Sequence, residues 1–205
     1  MKKASGAKHF ASIMGKSSFP SDSAEYKMVY DAVEILLNNG FGIIHGGYAG
    51  GAMSATSEAA SKYISENGLP LERNIGVPQK QHETLWERVE GAVFTDVAEN
   101  IFARLNAVTS GDVAIFAPLG GDGTEAEEAI IFHENVTRVA LGEQPVAMIF
   151  LQTSAGVQWK KLIETKIELL TTSIGGVDEI EWLHFVDSIE ELGDLVKEMV
   201  SENSL

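Results

Sequence analysis

Short apolar runs with the character of β-strands alternate, along the whole chain, with stretches of helical periodicity. The runs predict strands at residues 9–14, 41–45, 73–77, 112–117, 146–151 and 184–186, with a weaker candidate at 92–95. Most are continuously apolar rather than alternating, which is typical of parallel strands covered on both faces. We therefore expect an α/β fold: a doubly wound, mostly parallel sheet of about six to seven strands, Rossmann-like, with helices on both faces.

The intervening stretches carry helix signals. Residues 22–25 (Asp-Ser-Ala-Glu) have the pattern of a capping box and predict the start of the first helix, and Asn39-Gly40 predicts its end. A later amphipathic helix is predicted from apolar residues at helical spacing, namely Trp159, Leu162, Ile163, Ile167 and Leu170. No long linker, internal repeat or low-complexity block interrupts the 205 residues, so we expect a single domain over residues 1–205.

Charge and composition exclude several classes of function. The chain has 15 Lys and Arg against 30 Asp and Glu, a formal net charge of -15, which disfavours polymeric nucleic acid and anionic membranes as partners but permits a small anion held locally. It has no cysteine, which excludes disulfides, thiolate metal sites and cysteine nucleophiles. Residues 1–9 lack the apolar core of a secretory signal, and no apolar run approaches the ~20 residues of a membrane span. We therefore expect a soluble, cytoplasmic protein.

A first glycine cluster follows the strand predicted at 41–45 and precedes a run rich in Ala, Ser and Glu. Its members are Gly46, Gly47, Gly50 and Gly51, and Met53 comes directly after it. Glycines at a strand-to-helix turn let the backbone approach a ligand and direct N–H groups at an anion. The dinucleotide pattern G-x-G-x-x-G is absent, because Tyr48 stands where its second glycine would be. A tight turn with close helix packing is the alternative interpretation.

A second glycine cluster follows the strand predicted at 112–117. It contains Gly120, Gly121 and Gly123, which permit the backbone angles of an anion-binding nest. A helix is predicted to begin near Thr124, whose hydroxyl can cap the helix or donate to a phosphate. Glu127 is then expected in the first turn, where the helix dipole keeps a carboxylate ionised. Because Thr-x-x-Glu is also a capping box, a purely structural role for Glu127 is the alternative.

Two shorter motifs suggest other functions. Gly15-Lys16-Ser17 is similar to the end of a P-loop, but that motif needs glycine at the position of Phe10. Residues 120–124 (Gly-Gly-Asp-Gly-Thr) also form the motif of the NAD kinase and diacylglycerol kinase superfamily, whose members continue into a largely β second domain. Here α/β alternation continues to the end. A kinase of that type would need Asp122, ATP and Mg²⁺.

Taken together, the two clusters resemble the LONELY GUY family, cytokinin-activating phosphoribohydrolases often mislabelled as lysine decarboxylases. The family loop G-G-G-x-x-G-x-M corresponds to residues 46–53, and its signature P-G-G-x-G-T-x-x-E corresponds to residues 119–127. The family pairs the signature glutamate with an arginine on the preceding helix, and Arg104 lies 23 residues before Glu127, as that pattern requires. The resemblance extends from about residue 9 to residue 186.

The chain also departs from the family pattern. Tyr48 replaces the third glycine of the first loop, Leu119 replaces the signature proline, and the E-R-K context around Arg104 is lost. These changes bear on which base is accepted more than on the phosphate-binding loops.

The resemblance implies hydrolysis of the N-glycosidic bond of a nucleoside 5′-monophosphate, including N6-modified AMP, to a free base and ribose 5-phosphate. Glu127 would stabilise the oxocarbenium-like transition state and orient water, and Arg104 would contact the nucleotide. The glycine backbones and Thr124 would hold the phosphate, and Met53 would line the sugar or base pocket. The resemblance implies no metal and no cofactor. It does imply a homodimer.

The same residues also permit other roles, and the fold permits another function. By residue type, Arg104 suits a surface ion pair, Met53 a core position and His45 a structural role. Relatives of this fold include carriers of nucleotide-like cofactors such as the molybdenum cofactor. A carrier would need the glycine loops but not the pair Arg104 and Glu127.

Overall fold

The computed structural model describes residues 2–153, 159–169 and 180–201. These residues contain seven strands: β1 (Phe10–Met14), β2 (Gly42–His45), β3 (Asn74–Gly76), β4 (Val93–Phe94), β5 (Val113–Phe116), β6 (Ala147–Leu151) and β7 (Leu183–Val186). They form one sheet in the order β4-β3-β2-β1-β5-β6-β7, and every pairing is parallel. The prediction of a doubly wound parallel sheet is confirmed, and each predicted strand overlaps an observed one.

Seven helices lie in the same described residues. They are α1 (Lys2–Ser5), α2 (Ala24–Asn38), α3 (Gly51–Asn67), α4 (Ile101–Val108), α5 (Asp122–Leu141), α6 (Trp159–Leu169) and α7 (Ile189–Ser201), with a 3-10 turn at Leu71–Arg73. None of them is both long and apolar enough to cross a membrane. The helix predicted over 159–170 is observed as α6, and its last predicted residue, Leu170, lies outside the described residues.

Two apolar clusters cover the two faces of the sheet. Successive strand residues point to opposite faces, so that Ile43 and Ile115 lie in the cluster packed against α2, α3 and α7, whereas their neighbours Ile44 and Phe116 lie in the cluster packed against α5 and α6. Burial on both faces explains why the strands are continuously apolar in sequence.

The start of α2 differs from the prediction by one residue. Ser23 is the N-cap, and its hydroxyl accepts a hydrogen bond from the Tyr26 backbone N–H at 3.1 Å. Glu25 therefore occupies the second helical position rather than the third, so the predicted capping box does not form. The C-cap is Asn39, as predicted.

The central strand β1 marks a topological switch point, where ligands bind in sheets of this kind. Its neighbours β2 and β5 lead into helices on opposite faces of the sheet. The loops at the carboxyl ends of these strands are joined through one residue of the loop after β1: the Lys16 N–H donates to Leu119 O at 2.8 Å, and Lys16 O accepts from the Ala52 N–H at 3.0 Å. Both glycine clusters therefore lie at the same edge of the sheet.

Candidate functional site

The first glycine loop is shaped by close backbone packing. Gly50 and Gly51 have φ angles of 117° and 45°, and both lie against the backbone of the loop after β1, at Lys16 and Ser17. A side chain at either position would be strained and would collide with that backbone. The alternative interpretation, a tight turn with close helix packing, therefore applies to these two glycines.

Gly46 has a different neighbourhood from the other glycines of the loop. A Cβ at this position would lie 2.6 Å from Met53 Sδ and closer still to the Arg104 guanidinium. Met53 is half-buried, in the first turn of α3. Because Gly46 has no side chain, Met53 and Arg104 both approach its backbone. The role predicted for Met53, lining the sugar or base pocket, stays a prediction.

The second glycine loop does not form the predicted nest. Neither Gly120, Gly121 nor Gly123 has a positive φ, and Gly121 is extended at φ −148°. Gly120 packs under the Trp159 ring, 3.0 Å from where its Cβ would be, whereas Gly121 and Gly123 face open space. Anion binding at this loop would therefore rest on the free N–H groups of the first turn of α5 rather than on a nest.

Helix α5 begins earlier than predicted. Its N-cap is Gly121 and its first residue is Asp122, so Thr124 is already the third helical residue and does not cap the helix. Thr124 is buried at 3% exposure, and its hydroxyl makes no hydrogen bond to another described residue. The Thr124 side chain packs instead against Gly120, with its Cβ 3.4 Å from where a Gly120 Cβ would be.

The same shift changes the environment of Glu127. With α5 beginning at Asp122, Glu127 lies in the second turn, so the predictions of a first-turn position and of a Thr124–Glu127 capping box are both wrong. Glu127 is 7% exposed, and its carboxyl makes no hydrogen bond or ion pair with any other described residue. Burial raises the pKa of its carboxyl to about 7, against the opposing effect of the Arg104 charge. The expectation that the helix dipole keeps the Glu127 carboxylate ionised is therefore also wrong, because burial opposes its ionisation.

Arg104 points inward from α4 toward the carboxyl edge of the sheet. Its Nε donates to Val77 O and its Nη2 to Gly46 O, each at 3.3 Å. Burial lowers the pKa of its guanidinium, while the charge of Glu127 raises it. In the described chain the two groups are within electrostatic range but form no direct ion pair, so the interpretation of Arg104 as a surface ion pair is wrong. Two side chains from distant parts of the sequence are thus brought to one site.

His45 has the structural role expected of it. It is fully buried at the end of β2, where its Nδ1 accepts from the Gly47 N–H at 3.1 Å and its Nε2 lies 3.1 Å from Asn74 Oδ1. Burial lowers the pKa of its imidazole to about 4, so the ring is neutral near pH 7. In that state it shapes the first glycine loop.

Sequence reasoning did not find the aromatic group beside the site. Tyr48, His82 and Trp86 pack together, with ring centroids 4.4 to 6.1 Å apart. Burial lowers the pKa of the His82 imidazole, and the charge of Arg104 lowers it further, so the guanidinium lies within electrostatic range of this group. No motif signals the contact, because 34 positions separate Tyr48 from His82 in sequence.

No group of three or more His, Asp or Glu side chains within residues 2–153, 159–169 and 180–201 is arranged to hold a metal ion. What the site offers is an isolated carboxyl, a guanidinium and the N–H groups of the first turn of α5, which together suit a ligand carrying a phosphate and a developing positive charge.

No protein-family model matches this sequence, and no curated protein is significantly similar to it. Solved structures do match. The molybdenum cofactor binding protein of the phototrophic bacterium Rippkaea orientalis is 18% identical with a TM-score of 0.61, over 94% of this chain and 98% of that one. The molybdenum cofactor carrier protein of Chlamydomonas reinhardtii is also 18% identical, with a TM-score of 0.59 over 95% and 99%. At these identities the likeness shows that this chain has the same fold.

Proposed function

We propose that this chain hydrolyses the N-glycosidic bond of a nucleoside 5′-monophosphate, releasing a free base and ribose 5-phosphate. The observation that carries the proposal is the Glu127 carboxyl, which is buried in the second turn of α5, lies within electrostatic range of Arg104 and has no partner among the described residues. Keeping such a carboxyl unpaired costs stability, and groups of this kind concentrate at functional sites.

The chemistry assigns a separate task to each group. Glycosidic cleavage develops positive charge on the ribose, which an ionised Glu127 stabilises while it orients the attacking water. Arg104, held by two backbone carbonyls, contacts the nucleotide. The Thr124 hydroxyl and the N–H groups at the start of α5 bind the phosphate.

The test is release of base and ribose 5-phosphate from a panel of nucleoside monophosphates that includes AMP and N6-substituted AMP. Wild type is compared with Glu127→Gln and with a matched control, Glu125→Gln, whose side chain is exposed on the same helix. We expect release by wild type and the control, increasing as pH rises through about 7 because Glu127 ionises there, and loss of release in Glu127→Gln. Equal release by Glu127→Gln would contradict the proposed mechanism.

A second candidate function is carriage of a nucleotide-like cofactor. It is favoured by the shared fold of the two molybdenum cofactor proteins over nearly the whole chain. A carrier binds through its loops and does not need Glu127 to react. Binding of molybdenum cofactor that survives in Glu127→Gln, with no release of base from any nucleotide by wild type, would favour the carrier over the hydrolase.

The family resemblance also leads us to propose a homodimer. Five of the ten large hydrophobic side chains that the described chain exposes fall within residues 85–102: Leu85, Trp86, Val97, Ile101 and Phe102. Copies of a chain of net charge -15 repel one another at long range, so a contact surface without carboxylates adds least to that repulsion. Helix α4 meets that condition, because its single charged residue, Arg104, points inward.

A further inference from the structure

Tyr48 stands in the first glycine loop where the LONELY GUY pattern has glycine. Its side chain does not project into solvent, since the residue is 1% exposed. The ring packs edge-on against His82, with ring centroids 5.6 Å apart, and lies tilted against Trp86, with centroids 6.1 Å apart. The replacement therefore fills space between the loop and the segment that follows β3.

The hydroxyl of Tyr48 joins these two parts of the chain directly. It accepts a hydrogen bond from the Gln79 N–H at 2.7 Å, and its proton is within reach of Gln79 O at 2.9 Å and Glu83 Oε1 at 3.0 Å. Glu83 is held in turn by an ion pair with Arg88. This hydroxyl thus joins the segment after β3 to the glycine loop, beside two backbone bonds farther along that segment, in which the Ala49 N–H donates to Glu87 O and the Val89 N–H donates to Gly47 O.

The position of this link matters for Arg104. Pairing between β2 and β3 ends where the Val77 N–H donates to His45 O at 2.9 Å. The two carbonyls that accept from Arg104, those of Gly46 and Val77, lie at this end of the pairing. The hydrogen bond between Tyr48 and Gln79 joins the same two turns, because Tyr48 lies two residues after Gly46 and Gln79 lies two residues after Val77.

We propose that Tyr48 is a positioning residue, whose hydroxyl clamps the two carbonyl-bearing turns together and thereby fixes the position of the Arg104 guanidinium relative to Glu127. Because Arg104 and Glu127 form no direct ion pair, their separation is set by these carbonyls rather than by contact between the two groups. Loosening the clamp lets the guanidinium move away, which weakens its field at Glu127.

The test compares Tyr48→Phe with Tyr26→Phe in the full-length protein. Tyr26 is a matched control: it is 8% exposed, and its hydroxyl donates to a glutamate, Glu58, at 2.6 Å in another part of the molecule. The readout is the carboxyl ¹³C titration of Glu127, assigned by comparison with Glu127→Gln. Thermal unfolding is recorded alongside.

We expect Tyr48→Phe to shift the Glu127 titration to higher pH, because Arg104 stabilises the ionised form, and Tyr26→Phe to leave it at the wild-type midpoint. Where hydrolysis is measurable, kcat should fall about tenfold in Tyr48→Phe alone. A Tyr48→Phe protein that titrates like wild type, whatever its thermal stability, would overturn the proposal.

If Tyr48→Phe does not fold, Glu83→Gln decides the matter. Removing the Glu83 charge would by itself lower the Glu127 midpoint, whereas loosening the clamp raises it. A rise supports the clamp, and a fall or no change overturns it. The inference rests on the proposed roles of Arg104 and Glu127, but the titration needs no turnover. Failure of hydrolysis and failure of the clamp are therefore distinguishable.

Discussion

At the scale of single residues, Glu127 shows how the fold opposes the charge of a group it buries. The raised pKa means that the folded state holds the proton more tightly than the unfolded chain, whose carboxyl titrates near its ordinary value of 4.5. Between about pH 4.5 and 7 the folded protein therefore binds more protons than the unfolded one, and stability from this group falls as pH rises. The ionised carboxyl needed for chemistry is thus a cost to the fold.

This reasoning predicts that Glu127→Gln stabilises the protein above pH 7, because the amide never ionises. We expect a gain of about 1–3 kcal/mol in the free energy of unfolding at pH 8, and no gain at pH 4, where the wild-type carboxyl is protonated. Urea unfolding at both pH values measures this difference in the free energy of unfolding. The control is Glu125→Gln, because the Glu125 side chain is exposed. A Glu127→Gln variant less stable than wild type at pH 8 would show that the carboxylate contributes favourably to the fold.

At the scale of elements, the two glycine loops differ in what their glycines do. In the loop after β2, Gly51 has a positive φ and lies against the backbone of the loop after β1. In α5, Gly123 has an ordinary φ and open space where a Cβ would be. The fold needs glycine at the first position and not at the second.

We therefore expect opposite effects of one substitution at the two positions. Gly51→Ala should lower the free energy of unfolding by about 2–4 kcal/mol through strain and collision, whereas Gly123→Ala should raise it by about 0.5–1 kcal/mol through helix propensity. Chemical denaturation checks both. Equal losses in the two variants would mean that the second loop packs more closely than the structure shows.

At the scale of the whole molecule, net charge and exposed apolar area act against each other. A chain of charge -15 keeps copies apart, yet Phe102 on α4 is 78% exposed. The proposed dimer resolves this by covering the exposed apolar side chains of segment 85–102, of which Ile101 and Phe102 lie on α4, where Arg104 is the single charged residue.

Phe102→Asp should convert the proposed dimer into a monomer, since it places a carboxylate in the apolar contact. Light scattering after size-exclusion chromatography measures the mass. Val200→Asp, at an exposed apolar position on α7, is the control and should stay dimeric. A wild-type monomer would contradict the dimer, and a dimeric Phe102→Asp would place the interface elsewhere.

Some features of the site could be predicted from sequence, and others could not. Motif and spacing single out Gly46, Arg104 and Glu127. In the structure Arg104 donates to Gly46 O, and Glu127 lies within electrostatic range of Arg104. Helix α5 begins two residues before Thr124, where the sequence predicts its start, because Thr124 has the side chain of a cap whereas the actual N-cap, Gly121, gives no such signal. No sequence motif signals the packing of Tyr48 with His82 and Trp86.

The amino-acid sequence by itself determined the strand positions and the parallel, doubly wound class of the sheet. Continuous apolar runs and helical periodicity are local properties, and a sheet buried on both faces requires them. Only the tertiary structure decided the protonation of Glu127, the inward turn of Arg104 and the contacts of Tyr48. Burial, electric field and hydrogen bonding depend on distances between groups far apart in the chain, which exist only once the loops after β1, β2, β3 and β5 meet at one edge of the sheet.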